Sequence, residues 1–136
     1  MTQKEKQLLL KDICNRLPYD IFVQVYYFGR EKKEELTSYN FHLFMHGEVD
    51  ILPYLRPLSS MTEEESAELS NIISEWFDKE LFYLTEEPFL EYALSKINYS
   101  ISPLLFDWLN ANHFDYRGLI PMGLALEAKE GMYGKI

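Results

Sequence analysis

The stretch YDIFVQVYYF, residues 19–28, decides the fold class because its apolar residues alternate with a period of two. It is rich in the β-branched and aromatic residues that strands favour. One face carries Ile21, Val23, Val25 and Tyr27, and the other carries Phe22, Gln24, Tyr26 and Phe28. Because both faces carry apolar residues, both are expected to be partly covered by other parts of the chain. The pattern therefore predicts a strand in a fold that contains both helices and strands.

The segment before this strand, residues 3–17, has helical periodicity. Leu9, Ile13 and Leu17 form one stripe, and the charged residues Lys4, Glu5, Lys11 and Asp12 are expected to lie off it. Cys14 stands beside the stripe, which predicts a small buried side chain rather than a nucleophile. Pro18 ends the helix.

After the strand, GREKKEE (29–35) is predicted to be a charged, solvated turn. Residues 36–46 then alternate again, which predicts the second strand of a hairpin. Tyr39, Phe41, Leu43 and Met45 would face the core, opposite Ser38, Asn40, His42 and His46. Gly47 ends this strand, and residues 49–52 are expected to add a short third one.

The second half is predicted to be mainly helical. PYLRPLSSM (53–61) is expected to be a rigid connector, because two prolines fix φ and remove two donors. Thr62 and Glu65 have the spacing of a capping box and begin an amphipathic helix. Its stripe is Leu69, Ile72, Ile73, Trp76 and Phe77.

The pattern over 79–97 fits a strand or a helix, with a second helix start suggested at Thr85 and Pro88. Ser102 and Pro103 predict a further helix start. Leu104, Leu105, Trp108 and Leu109 are expected to face inward on that helix. The glycine-rich tail from residue 113 is expected to be an ordered loop with short turns.

These patterns predict a single α+β domain over residues 1–136. An N-terminal helix and a small antiparallel hairpin or sheet occupy about 1–58, and a mainly helical part occupies about 59–136. The chain of 136 residues is long enough to bury a core without disulfides. Its one cysteine excludes an intrachain disulfide and a cysteine-rich metal site.

The net charge of −9 disfavours direct binding to nucleic acid. The same acidity would suit a protein that mimics nucleic acid and blocks a host or defence protein. The sequence has neither an apolar run of transmembrane length nor the pattern of a secretory signal peptide, so a cytoplasmic location is expected and no membrane association.

Recognised catalytic and cofactor motifs are missing from the sequence. It has neither a phosphate-binding glycine loop nor a GxSxG elbow, so no cofactor and no catalytic residue is predicted. The glutamate runs at 31–35 and 63–65 lack calcium-loop spacing. On a strand, His42 and His46 would lie roughly 13 Å apart, too far for one ion, so no metal site is predicted.

The segment NANHFDYRG (110–118) is the main candidate for a site. Asp115 could orient His113 while Arg117 holds an anion, or these side chains could instead satisfy their own loop. Together with the connector, this segment supplies the candidate binding residues, which are Trp108, His113, Asp115, Tyr116, Arg117, Tyr54 and Arg56.

Three strings carry a resemblance to a known group of proteins: PYLRPLSSMTEEE (53–65), DWLNANHFDYRGLI (107–120) and GLALEAKEGMY (123–133). They resemble a family of small proteins from gut anaerobic bacteria and their prophages or mobile elements. The resemblance implies a cytosolic protein of mobile-element origin, with a β-rich first half and a helical last part. It implies no activity and no catalytic residues. Pro121 departs from the family pattern, in which a charged residue is commoner.

Three hypotheses for function follow. The first is a non-enzymatic accessory or interaction protein that binds another protein. The sequence does not determine the oligomeric state of the chain. The second is the acidic mimic of nucleic acid. The third is a small hydrolase or anion-binding enzyme centred on His113, Asp115, Tyr116 and Arg117.

Overall fold

The computed structural model describes residues 1–77 and 103–134, with side chains in the first range as far as Ile72. In chain order the elements are α1 (Gln3–Arg16), β1 (Phe22–Tyr27), β2 (Arg30–Glu35), α2 (Ser38–Met45), β3 (Asp50–Leu55), a 3₁₀ turn (Leu58–Ser60), α3 (Glu63–Phe77), α4 (Pro103–Ala111) and β4 (Leu126–Glu127). The predicted α+β class is confirmed. The undecided segment 79–97 lies outside the described residues, as does Ser102. Among the described helices, none is both long and apolar enough to cross a membrane.

The sheet has the strand order β2-β1-β3-β4. β1 pairs antiparallel with β2 and with β3, while β3 and β4 are parallel. β4 lies in the tail that was predicted to be a loop. The amide of Ala128, just after β4, donates to the carbonyl of Leu55 at 2.8 Å and holds this part of the tail against β3. The C-terminal segment therefore contributes to the sheet.

The prediction of a charged turn at 29–35 is wrong. Only Phe28 and Gly29 form the loop, since Tyr27 already pairs with Arg30. Gly29 has a φ of 74°, a conformation that glycine adopts without steric cost, so the chain reverses at once. The charges then lie on β2, an edge strand, where charged side chains stay in water and discourage edge-to-edge pairing.

The predicted strand over 36–46 is a helix, α2. A capping box begins it: the Asn40 amide donates to the Thr37 hydroxyl, and the Thr37 amide donates to the Asn40 side-chain oxygen. Short apolar runs fit both periods, and this local capping favours the helix. Asn40 and Phe44 are buried, whereas Tyr39 and Met45, which were expected in the core, are exposed.

The connector prediction is wrong at its start, because Pro53, Tyr54 and Leu55 belong to β3. Val23 of β1 faces Pro53, and pairing with β4 begins only at Tyr54. The predicted third strand is therefore present and longer than expected. It carries the chain directly into Arg56, which forms an isolated parallel bridge with Phe114.

The larger core lies between α1, α2 and the sheet. Its buried residues are Leu9, Ile13, Ile21, Val23, Val25, Phe44, Val49, Ile51, Leu55, Leu119, Leu124 and Ala125. Three residues of the predicted helix over 3–17 depart from expectation: Asp12, expected off the apolar stripe, is fully buried, while Cys14 and Leu17 are exposed.

A smaller core joins α3 and α4 and consists of Leu69, Leu105, Leu109 and Phe114. The predicted capping box of α3 is confirmed, because Thr62 and Glu65 exchange both hydrogen bonds. Helix α4 is described from Pro103 onward, and Leu104 is exposed rather than inward.

Candidate functional site

Segment 110–118 begins in the last two residues of α4 and turns back across the end of β3. The amide of Phe114 donates to the carbonyl of Leu109 at 3.0 Å, which closes the helix. His113 has a φ of 64°, the only non-glycine residue described with positive φ. This left-handed residue redirects the chain, and histidine is among the residues enriched there.

Arg56 holds the segment through its backbone. Its amide donates to the carbonyl of His113 at 2.7 Å, and its carbonyl accepts from the amide of Asp115 at 2.8 Å. Its guanidinium also donates to the carbonyls of Ser60 and Asn112. Segment 110–118 is thus held beside the end of β3 by backbone hydrogen bonds of the kind that join neighbouring strands.

The Arg56 side chain is fully buried and forms a bidentate ion pair with Glu65 of α3. Both nitrogen–oxygen distances are 2.7 Å. Planar guanidinium matches carboxylate in this arrangement, which is among the strongest charge-assisted geometries. Burial alone raises the pKa of Glu65, but hydrogen bonds from Arg56 and Thr62 outweigh it and lower that pKa below its usual value.

A second buried charge cluster lies between α1 and the segment. Asp12 accepts from Arg16 Nε at 2.8 Å and from Arg117 at 2.6 Å, and both Asp12 and Arg16 are fully buried. Arg16 donates in turn to the carbonyl of Phe114 at 2.7 Å. One carboxylate therefore fixes two arginines, and these arginines fix the loop.

Aromatic rings contact the arginines of both clusters. The guanidinium of Arg56 lies 4.3 Å from the centre of the Phe114 ring, and Trp108 stacks on Phe114 with centroids 5.7 Å apart. Trp108 also donates its indole N–H to Glu68 of α3. The Tyr116 hydroxyl donates to Asn110 and accepts from Arg117. These contacts anchor the segment to the interior.

Asp115 binds backbone amides, not His113. Its two carboxylate oxygens accept from the amides of Leu119 and Ile120 at 2.8 and 2.9 Å. Those bonds satisfy donors in the turn that follows, which a buried loop needs. Asp115 and His113 therefore do not form the acid–base pair that the sequence suggested.

His113 stacks on Tyr133, with ring centroids 3.7 Å apart. Burial, and then the positive charges of Arg16 and Arg56, lower the pKa of His113 to about 4. Its Nδ1 is buried and has no hydrogen-bond partner among the described residues. The Tyr133 hydroxyl accepts from the amide of Phe22 and donates to the carbonyl of Tyr54, so this stack ties the tail to the sheet.

The lowered pKa of His113 predicts a loss of stability in mild acid. The unfolded chain binds a proton at this residue below about pH 6.5, whereas the folded chain does so only near pH 4. Stability should therefore fall as the pH drops through this window. With allowance for screening of a partly exposed ring, the loss is about 2 kcal/mol between pH 7 and 4.5.

Urea unfolding at several pH values tests this expectation. His113→Asn keeps a residue that tolerates positive φ and removes the titration, so its stability should depend less on pH than that of the wild type. The same substitution at the exposed His46 is the matched control for loss of an imidazole. Parallel pH profiles for wild type and His113→Asn would contradict the expectation.

The structure brings most of the predicted residues into one region, but as internal anchors. Sequence reasoning missed the partners that anchor them, among which are Asp12, Arg16, Glu65, Glu68 and Tyr133. Among the residues described, no group of three or more His, Cys, Asp and Glu side chains is placed to hold a metal ion. A shallow groove of about 220 Å³ lies elsewhere, between α1 and α2, lined by Gln3, Lys6, Gln7, Leu10, Phe44 and Met45.

Comparison with protein-family models, with curated proteins and with solved structures finds no match.

Proposed function

We propose that this chain is a non-enzymatic interaction protein that binds another protein through the tip of its β1–β2 hairpin. The observation that carries the proposal is the exposure of Phe28, a residue that is 97% exposed. Exposed apolar residues are common singly, so exposure alone would mean little. What distinguishes Phe28 from other exposed apolar residues is its position in the turn.

Phe28 occupies a turn in which phenylalanine has no structural advantage. Two-residue loops favour glycine, asparagine, aspartate, proline or serine, each for a backbone reason. Gly29 already supplies the positive φ that this turn requires. A phenylalanine beside it leaves apolar surface in water without helping the reversal, which is expected of a side chain selected for contact with a partner.

The surroundings of Phe28 suit a protein partner. Tyr26 and Phe22 precede it at alternate positions of β1 and are half-buried. β2 borders them with three basic and three acidic residues, REKKEE. An aromatic anchor with a polar, charged rim is the usual composition of a protein-binding surface.

The alternatives draw less support from the described residues. The polar groups of Asp115, Tyr116 and Arg117 bond to neighbouring parts of the same protein, which leaves little for a hydrolase or an anion site. The mixed charge of β2 does not favour a nucleic-acid mimic, which needs acidic groups arrayed on one face. The proposal includes the cytoplasmic location and the mobile-element origin that the resemblance implies. The identity of the neighbouring genes tests that origin.

The proposal predicts that Phe28→Ser abolishes binding without harming the fold. Because the side chain has almost no intramolecular contact, the free energy of unfolding should change by less than about 0.5 kcal/mol. Met122→Ala, at a residue 48% exposed, is the matched control for loss of an exposed apolar side chain.

A photocrosslinking residue at position 28, expressed in the native host, provides the measurement. We expect a discrete adduct from position 28, none from the same residue at position 122, and loss of the retained partner with Phe28→Ser only. Sedimentation of the purified chain determines whether the partner is a second copy. Retention that survives Phe28→Ser, or no partner after crosslinking, would overturn the proposal.

A further inference from the structure

We infer that His42 and His46 form a bidentate site for a divalent transition-metal ion of the zinc and copper class. The interpretation of residues 36–46 as a strand separated the two imidazoles. Helix α2 removes that objection, because residues four apart lie on one face of a helix, one turn above the other.

The geometry of the two rings suits chelation. Their centroids are 4.3 Å apart and their planes are inclined by 55°. An ion with two imidazole ligands at about 2.0–2.1 Å needs rings that are close together and not parallel-stacked. His46 is held at the helix end, since its amide donates to the carbonyl of His42 at 3.1 Å. The backbone therefore holds the two residues one helical turn apart.

Access to the two rings is open. Both residues are exposed, and neither side chain has a hydrogen-bond or ion-pair partner among the described contacts. The ion would not have to displace an internal contact. The neighbouring apolar residues, Tyr39 and Met45, are also exposed and supply no competing charge.

The donor atoms of the two histidines determine which metal ions the pair would bind. Neutral imidazole prefers zinc, copper and nickel over magnesium and calcium, which take oxygen ligands. Among the described residues no third His, Cys, Asp or Glu joins the pair. The ion would thus keep water in its remaining positions, which describes an open, exchangeable site rather than a closed structural one.

The test uses the full chain with Cys14→Ser, because the exposed thiol of Cys14 is a competing soft ligand. Isothermal titration with zinc chloride should show one ion bound per chain. His42→Ala and His46→Ala should each weaken binding by about tenfold or more, since a single imidazole cannot chelate. Electron paramagnetic resonance of the copper-loaded chain should show two coordinated imidazole nitrogens, and one in either variant.

A relocated pair distinguishes chelation from a structural effect of the substitutions. Ser38 is exposed and lies one turn before His42 on α2. Ser38→His in the His46→Ala background restores the spacing of four, so zinc binding should return. Wild-type affinity in both single variants, no saturable binding, or no recovery in the relocated pair would each overturn the inference. None of these outcomes depends on Phe28 or on a protein partner.

Discussion

Replacing Asp12 with alanine is expected to destabilise the fold by about 3–5 kcal/mol, the usual cost of leaving a buried charge without its partner. Asp12 is fully buried and accepts hydrogen bonds from Arg16 and Arg117. Alanine would leave the fully buried Arg16 without a counter-charge. A loss of this size is a large part of the total stability of a small domain.

Three comparisons give this experiment its controls. Asp20→Ala, at an exposed acid, should change the free energy of unfolding by less than about 0.5 kcal/mol. Asp12→Asn keeps one acceptor oxygen and should lose less than alanine. Arg117→Ala removes a partly exposed partner while Asp12 keeps Arg16, so its cost should be about 1 kcal/mol.

Unfolding in urea measures all four variants, and hydrogen exchange locates the effect. Asp12→Ala should speed exchange at the amides of Leu119 and Ile120, because the loop that orders them loses its tie to α1. A change below about 1 kcal/mol for Asp12→Ala would show that the cluster contributes little to stability.

The sequence contained a signal for this cluster that periodicity alone obscures. Leu9, Asp12, Ile13 and Arg16 stand at i, i+3, i+4 and i+7, which is one helical face. Two charges inside an apolar stripe indicate a buried pair. Hydropathy alone places charged residues in solvent. Burial of Asp12 and Arg16 becomes favourable only because segment 110–118, about 100 residues further along the chain, supplies their hydrogen-bond partners.

Helices α1, α3 and α4 and strand β1 could be predicted because their own residues carry the pattern. β2 could not, since an edge strand made only of charged residues gains its stability from hydrogen bonds to β1, which local composition does not reveal. For α2 the same residues fit both periods, and the capping pair Thr37 and Asn40 decides between them. β4 is two residues long and depends on its partner β3.

The predicted residues of segment 110–118 lie together in the structure, but their hydrogen-bond partners differ from those that the sequence suggested. Proximity in sequence placed His113, Asp115 and Arg117 together, but hydrogen-bond partners are a three-dimensional property. Asp115 binds amides ahead of it, and Arg117 reaches α1. Phe28, the most exposed aromatic residue in the described part of the chain, gave no signal of its own, because the alternating pattern of β1 continues through it.

Arg56→Ala is expected to cost about 3–5 kcal/mol as well, because Glu65 would remain buried without its guanidinium. The loss extends to α3, since the same carboxylate accepts the amide of Thr62 at the helix start. Arg30→Ala, at an exposed arginine of β2, is the matched control. The double variant Arg56→Met with Glu65→Leu should be more stable than Arg56→Ala, because neither charge is then left alone.

The pH dependence of Arg56→Ala separates a charge effect from lost packing. With Arg56 present, its hydrogen bonds outweigh burial and keep the pKa of Glu65 below its usual value, so the stabilisation is present at neutral pH and is lost as the pH falls through that lowered pKa. Without Arg56 only burial and the Thr62 contacts act, and the pKa of Glu65 should rise. The carboxyl group then takes up a proton in mild acid, and the cost of an unpaired charge disappears.

The difference in stability between wild type and Arg56→Ala should therefore be smaller at pH 4.5 than at pH 7. Both chains should carry His113→Asn, because Arg56 also acts on the pKa of His113. If packing of the guanidinium on Phe114 were the main contribution, the difference would be the same at both pH values. Urea unfolding at the two pH values distinguishes these cases, and a constant difference would contradict the charge explanation.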